Sequence, residues 1–165
     1  MKTKGILVLI FIACILVPSF ANAEKLTGGG ERAWCCPWGP DLFSVSANAI
    51  RTPEGRVKGH IQYSCTGQPM SPDLIVHAYV KCFNVSADGL VAVAAGPANA
   101  SLDPTNYTLG KWLVIAVKEG GTGFGDKVRV IALDEEEAIE YCTNIRTDDS
   151  YFPGRVEEGN FTIHP

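Results

Sequence analysis

Phe43-Ser44-Val45-Ser46-Ala47-Asn48-Ala49 and, after a turn, Val57-Lys58-Gly59-His60-Ile61-Gln62-Tyr63-Ser64-Cys65 decide the fold class. In the first run apolar or small residues alternate with Ser and Asn. In the second, Val57, Ile61, Tyr63 and Cys65 alternate with Lys58, His60, Gln62 and Ser64. A period of two places one face of each segment on a core and the other in water, which is the pattern of half-buried strands. Thr52-Pro53-Glu54-Gly55 between them is turn chemistry.

The same reading extends outward. Residues 74–85 predict a third strand, Ala87-Asp88-Gly89 a hairpin turn, and 90–95 a returning fourth strand. Residues 97–110 read as a polar loop. Strands five and six are expected at 111–118 and 127–133, joined by a glycine-bearing connection over 119–126, and a last strand at 160–164. Residues 134–144 are ambiguous. Asp134 with Glu135, Glu136 and Glu137 is a helix-start pattern. A strand at 139–144 is nevertheless expected, because a meander needs a seventh crossing. The expected fold is all-β: a single antiparallel up-and-down barrel-like domain of about eight strands, with a two-sheet β-sandwich as the alternative.

Upstream, Lys2 and Lys4 precede a charge-free apolar run over 5–17, and Ala21-Asn22-Ala23 carries the small residues that signal peptidase reads. The run is about 13 residues, short of the roughly 20 that span a bilayer. Residues 1–23 are expected to be a signal peptide, 24–41 a Gly/Pro/Cys-rich lead segment without a regular element, and 42–165 the β domain. The product is expected to be secreted, extracytoplasmic and without a membrane span once the signal is removed. After residue 23 the chain holds 12 basic and 18 acidic side chains, a net charge of −6, with no basic cluster. Nucleic acid is therefore excluded as the expected partner.

Export makes disulfides the expected state of Cys35, Cys36, Cys65, Cys82 and Cys142. In the meander, Cys65 lies near Cys35 and Cys36, and Cys82 lies at the end that Cys142 can reach. The expectation is Cys65 with Cys35 or Cys36, Cys82 with Cys142, and one thiol left over. Four of the six asparagines after residue 23, Asn84, Asn99, Asn106 and Asn160, head an Asn-x-Ser/Thr sequon, which implies a glycan-decorated surface.

Read together, Gly28-Gly29-Gly30, Gly59-His60-Ile61-Gln62-Tyr63, Val76-His77, the set Gly120, Gly123, Gly125 and Asp126, and Gly159-Asn160-Phe161-Thr162-Ile163-His164 make a pattern. It resembles the post-COAP type of small extracytoplasmic β-domain, found in secreted and surface proteins of microbes. The resemblance runs in order through nearly all of the chain after residue 23. It implies a secreted β-module without a defined activity. Lys118 and Glu119 stand where the family pattern has Asp and Asn, which argues against a cation site on that loop.

Among chemical candidates, His60 and His77 fall diagonally on the polar face of two neighbouring strands and are the metal-ligand candidates. His164 lies on the last strand, next to the first strand of a closed barrel. The glycine-bearing connection lacks the Lys and following helix of a phosphate loop. No nucleophile elbow or selected acid–base pair is present, so neither catalysis nor a cofactor is expected. The expected function is a structural or protein- or glycan-binding module at the cell surface. Ala47, Ala49, Ala78, Ala92 and Ala94 leave room for an alternative, a barrel carrying a small apolar ligand.

Overall fold

The computed structural model describes residues 23–32, 42–66, 73–102, 108–120 and 125–165. Strands β1 (Glu24–Arg32), β2 (Leu42–Arg51), β3 (Val57–Thr66) and β4 (Leu74–Tyr79) follow one another as antiparallel neighbours. Next come β5 (Cys82–Val85), β6 (Val91–Leu102), β7 (Trp112–Lys118) and β8 (Lys127–Leu133). Helix α1 (Glu135–Thr143), the short β9 (Gly154–Arg155) and β10 (Glu158–His164) complete the chain. The strands form one antiparallel sheet in the order β10-β1-β2-β3-β4-β6-β7-β8-β9, with β5 beside β4 on β6. The sheet curls into a half-barrel, the all-β architecture that the alternating pattern implies, and the sandwich alternative is not adopted.

Four local expectations are corrected. The stretch 24–32 is a strand rather than part of an irregular lead, and it pairs with β2 on one side and β10 on the other. Its glycines permit this. Gly28 has φ +139°, and a Cβ there would run into the Asn160 carbonyl oxygen of β10. The last strand therefore neighbours β1, and β1 stands between it and β2.

The expected third strand breaks at Val80 and Lys81. Its first half, β4, pairs with β3 and the far end of β6, and its second half, β5, pairs with the near end of β6. Residues 97–102, expected as loop, continue β6. Ala98 donates to the Lys111 carbonyl on the β7 side, so the missing N–H of Pro97 falls on the opposite side, where β5 gives way to β4.

Residues 135–143 form helix α1 rather than a strand. Asp134 is the N-cap, and its N–H donates to the Glu137 carboxylate at 3.4 Å. Three glutamates in the first turn favour the positive end of the helix dipole. Ala138, Tyr141, Cys142 and Ile145 recur at helical spacing, and all four pack on one apolar cluster with the outer sides of β6 and β7.

That cluster explains two continuous apolar runs, Val91 to Ala95 and Leu113 to Val117, whose residues are buried on both faces. Ala92, Ala94, Leu113 and Ile115 face the interior of the half-barrel. Val91, Val93, Val114 and Ala116 face α1 and the Tyr151–Phe152 segment. Burying each valine contributes roughly 1.5–3 kcal/mol, so uncovering this side would be costly. A Cys82–Cys142 disulfide fastens α1 there, with Cα atoms 6.3 Å apart.

The two ends of the sheet meet in one segment. β9 pairs with β8, and three residues later β10 pairs with β1. Between them Val156 donates to the Asp126 carbonyl at 2.7 Å, and Glu157 donates to the Glu31 carbonyl at 3.0 Å. Among the described residues no strand covers the second edge of β10. Two carboxylates serve it instead: Asp126 accepts from Phe161 N–H at 2.6 Å and Glu119 from Ile163 N–H at 2.5 Å.

Candidate functional site

Leu26, Val45, Ala47, Ile61, Val76 and Ala78 point into the core, so their sequence neighbours on β1 to β4 point outward. The register aligns those neighbours into rows. In the first, Asn160 stands opposite Gly29, then come Ser46, Gln62, His77 and Asn99, each opposite the next. Six strands at the usual spacing make this row about 24 Å long. The second row is Thr162, Thr27, Asn48, His60 and Tyr79, and the Tyr79 ring is 73% exposed. The third begins Glu158, Glu31, Ser44, Ser64, with the two serine hydroxyls 2.7 Å apart.

A groove of about 350 Å³ lies at one end of this face, lined by Gly30, Glu31, Ser44, Ser46, Gln62 and Glu158 among others. Beside it in the first row, Gly29 puts no side chain between Asn160 and Ser46. Glu31 and Glu158 are direct cross-strand partners on β1 and β10. Like charges in that position repel. Among the described residues neither carboxylate has an ion-pair partner. The groove thus offers two acceptors at one end and hydroxyl and amide groups along its floor and side.

His60 and His77 are both exposed and sit diagonally, since Gln62 opposes His77 and His60 opposes Tyr79. Diagonal side chains are about 7 Å apart, within reach of one small ion. Among the described residues no third His, Cys, Asp or Glu joins them. His164 opposes Lys25 at the end of β10, away from both. The acidic run 134–137 is the start of α1, and Asp134 pairs with Lys111 at 2.9 Å.

Of the sequons, Asn99 and Asn160 are exposed at opposite ends of the first row. Asn84 is half-buried on β5, two residues from the disulfide at Cys82. Asn106 lies outside the described residues, as do Cys35 and Cys36 and with them the expected partner of Cys65. Cys65 itself is buried, opposite Phe43 and Leu74. The alanines expected to leave room, Ala47, Ala49, Ala78, Ala92 and Ala94, are packed in the core with Leu26, Phe43 and Phe161.

A second polar cluster lies beneath α1. Arg129 and Arg146 stand 4.6 and 4.5 Å from the centre of the Tyr151 ring, and Tyr141 packs tilted against Tyr151 at 5.1 Å. The Tyr141 hydroxyl is buried without a hydrogen-bond partner among the described residues. Burial, above all, drives its pKa far upward and keeps it neutral. This cluster fixes the chain after α1 rather than presenting a surface.

Sequence reasoning places Gln62, His60 and His77 on one face. It misses Glu31, Glu158 and the groove, because these depend on β1 being a strand. Comparison with protein-family models, with curated proteins and with solved structures gives no match.

Proposed function

We propose that this chain is an exported, non-catalytic recognition module that binds glycan through the outer face of β10, β1, β2, β3 and β4. The observation that carries the reading is the groove. Its mixture of paired carboxylates, serine hydroxyls and the Gln62 amide suits the many hydroxyls of a sugar, which need donors and acceptors together. The exposed Tyr79 ring at the far side of the face offers a flat apolar surface against which a sugar ring can stack. The leader at 1–23, the sequons and the resemblance to post-COAP-type domains support an extracytoplasmic setting at the cell surface. The proximity of Glu31 to Glu158 further favours ligands that carry a protonated amine, such as amino sugars.

The test is an array of neutral and amino-sugar oligosaccharides probed with the mature chain from a host that does not glycosylate it. Binding is expected to fall at least tenfold in the Ser46→Ala/Gln62→Ala variant and to weaken for amino sugars in Glu31→Gln. A folded protein that binds nothing on the array, or variants that bind as well as the parent, would count against a glycan-reading face and leave a structural module.

A further inference from the structure

The groove and one of the sequons share a strand. Asn160 directly follows Gly159 and Glu158 of the groove wall, is exposed, and faces Gly29, the chain neighbour of the groove-lining Gly30. Its sequon is complete on the same face: Thr162 is also exposed, and the Asn160 amide lies 3.5 Å from the Thr162 hydroxyl. Asn84, by contrast, is half-buried beside the disulfide, and Asn99 lies five strands away along the row.

We infer that Asn160 is an N-glycosylation site whose glycan lies over the groove and gates it. The inference rests on the export reading for the modification itself and on the groove as the ligand site for its regulatory meaning. The donor is a lipid-pyrophosphate-linked oligosaccharide. The Asn160 amide nitrogen forms the bond to the anomeric carbon, the sugar–phosphate bond breaks, the lipid pyrophosphate leaves and the amide loses one proton. A first sugar attached there starts within one strand spacing, about 4.8 Å, of Gly29. It brings hydroxyl and acetamide groups beside Glu31 and Glu158, so the glycan competes for the contacts an external sugar would use. Copies with Asn160 bare expose the groove, and copies with Asn160 occupied hold it covered.

The experiment uses the full chain secreted from a host that also glycosylates a co-expressed reporter, beside a Thr162→Ala variant that removes the sequon and keeps Asn160. Peptide mapping reads occupancy at Asn160, and carbodiimide labelling reads access to carboxylates. Expected are glycan on Asn160 of the parent and labelling of Glu31 and Glu158 at least fivefold slower than in Thr162→Ala. Glu135, Glu136 and Glu137 on α1 should label equally in both, reporting an unchanged fold. A bare Asn160 beside a glycosylated reporter, or equal labelling of Glu31 and Glu158, overturns the inference. The same two proteins on the oligosaccharide array separate the two readings. Slower labelling without array binding by either protein keeps the covered groove and removes the glycan-binding function.

Discussion

The Asp126 carboxylate takes the place of a strand for Phe161. One of its oxygens accepts the Phe161 N–H at 2.6 Å, the other accepts Gly120 N–H at 3.1 Å, and the side chain is only 8% exposed. An edge N–H with no partner would cost about 1–3 kcal/mol when buried, so this carboxylate stabilises the closing segment where no strand does.

Asp126→Asn keeps the shape and replaces one acceptor with a donor that faces a backbone N–H. Stability is expected to drop by about 1–3 kcal/mol in urea unfolding. The Phe161 amide should exchange with deuterium faster, while amides of β6 and β7 change only with global stability. An unchanged Phe161 exchange rate would show that the seam does not depend on this contact.

Removing the disulfide in a Cys82→Ala/Cys142→Ala double variant opens a loop of 60 residues. The chain-entropy relation puts the loss at about 4 kcal/mol. The amides of α1 should lose protection first, because Cys142 is completely buried and is the helix's covalent hold on the sheet. Retained protection in α1 would mean that packing alone suffices to hold it.

Tyr141→Phe should be neutral or stabilising by up to about 1 kcal/mol, since it deletes a buried hydroxyl that has no partner among the described residues and keeps the ring on Tyr151. Chemical denaturation compares the two proteins directly. A clear loss of stability would reveal a partner for that hydroxyl.

Lys118 and Lys127 both reach the Asp149 carboxylate, at 2.7 and 3.1 Å. Hydrogen bonds from Lys118 first and Lys127 second hold its pKa below the ordinary aspartate value. A depressed acid contributes stability that is present above its unfolded pKa and fades as pH falls through the folded one. In a Lys118→Met/Lys127→Met variant, the Asp149 carboxyl resonance should titrate higher, back toward the ordinary aspartate range. Coincident titration curves would refute the coupling.

The legible parts of this fold are those where one residue's neighbours state its surroundings. The alternation from Phe43 to Ala49 and from Val57 to Cys65 gives β2 and β3, and with them the diagonal placement of His60 and His77. β1 is illegible because Gly28, Gly29 and Gly30 carry no side chain to alternate, and what crowds Gly28 and Gly30 is the segment Val156 to Phe161, more than a hundred residues away. α1 competes with a strand on local chemistry, and its capping pattern prevails because Val93 and Val114 need an outer cover. That demand belongs to other strands. The Cys82–Cys142 pairing survives the change from strand to helix, since only the ends of the connection matter. Glu119 and Asp126 look like loop acids, and their purpose becomes visible only when Phe161 and Ile163 arrive beside them.

The pairing of Lys25 with His164 has a practical meaning for handling the protein. The beginning of β1 and the end of β10 leave the sheet side by side, while Glu31 and Glu158 lie six residues further along the same ladder, about 20 Å away. A bead, dye or fusion partner joined at either margin of the described sheet would hold the module by the same corner. The groove would then point outward in the same orientation whichever handle is used.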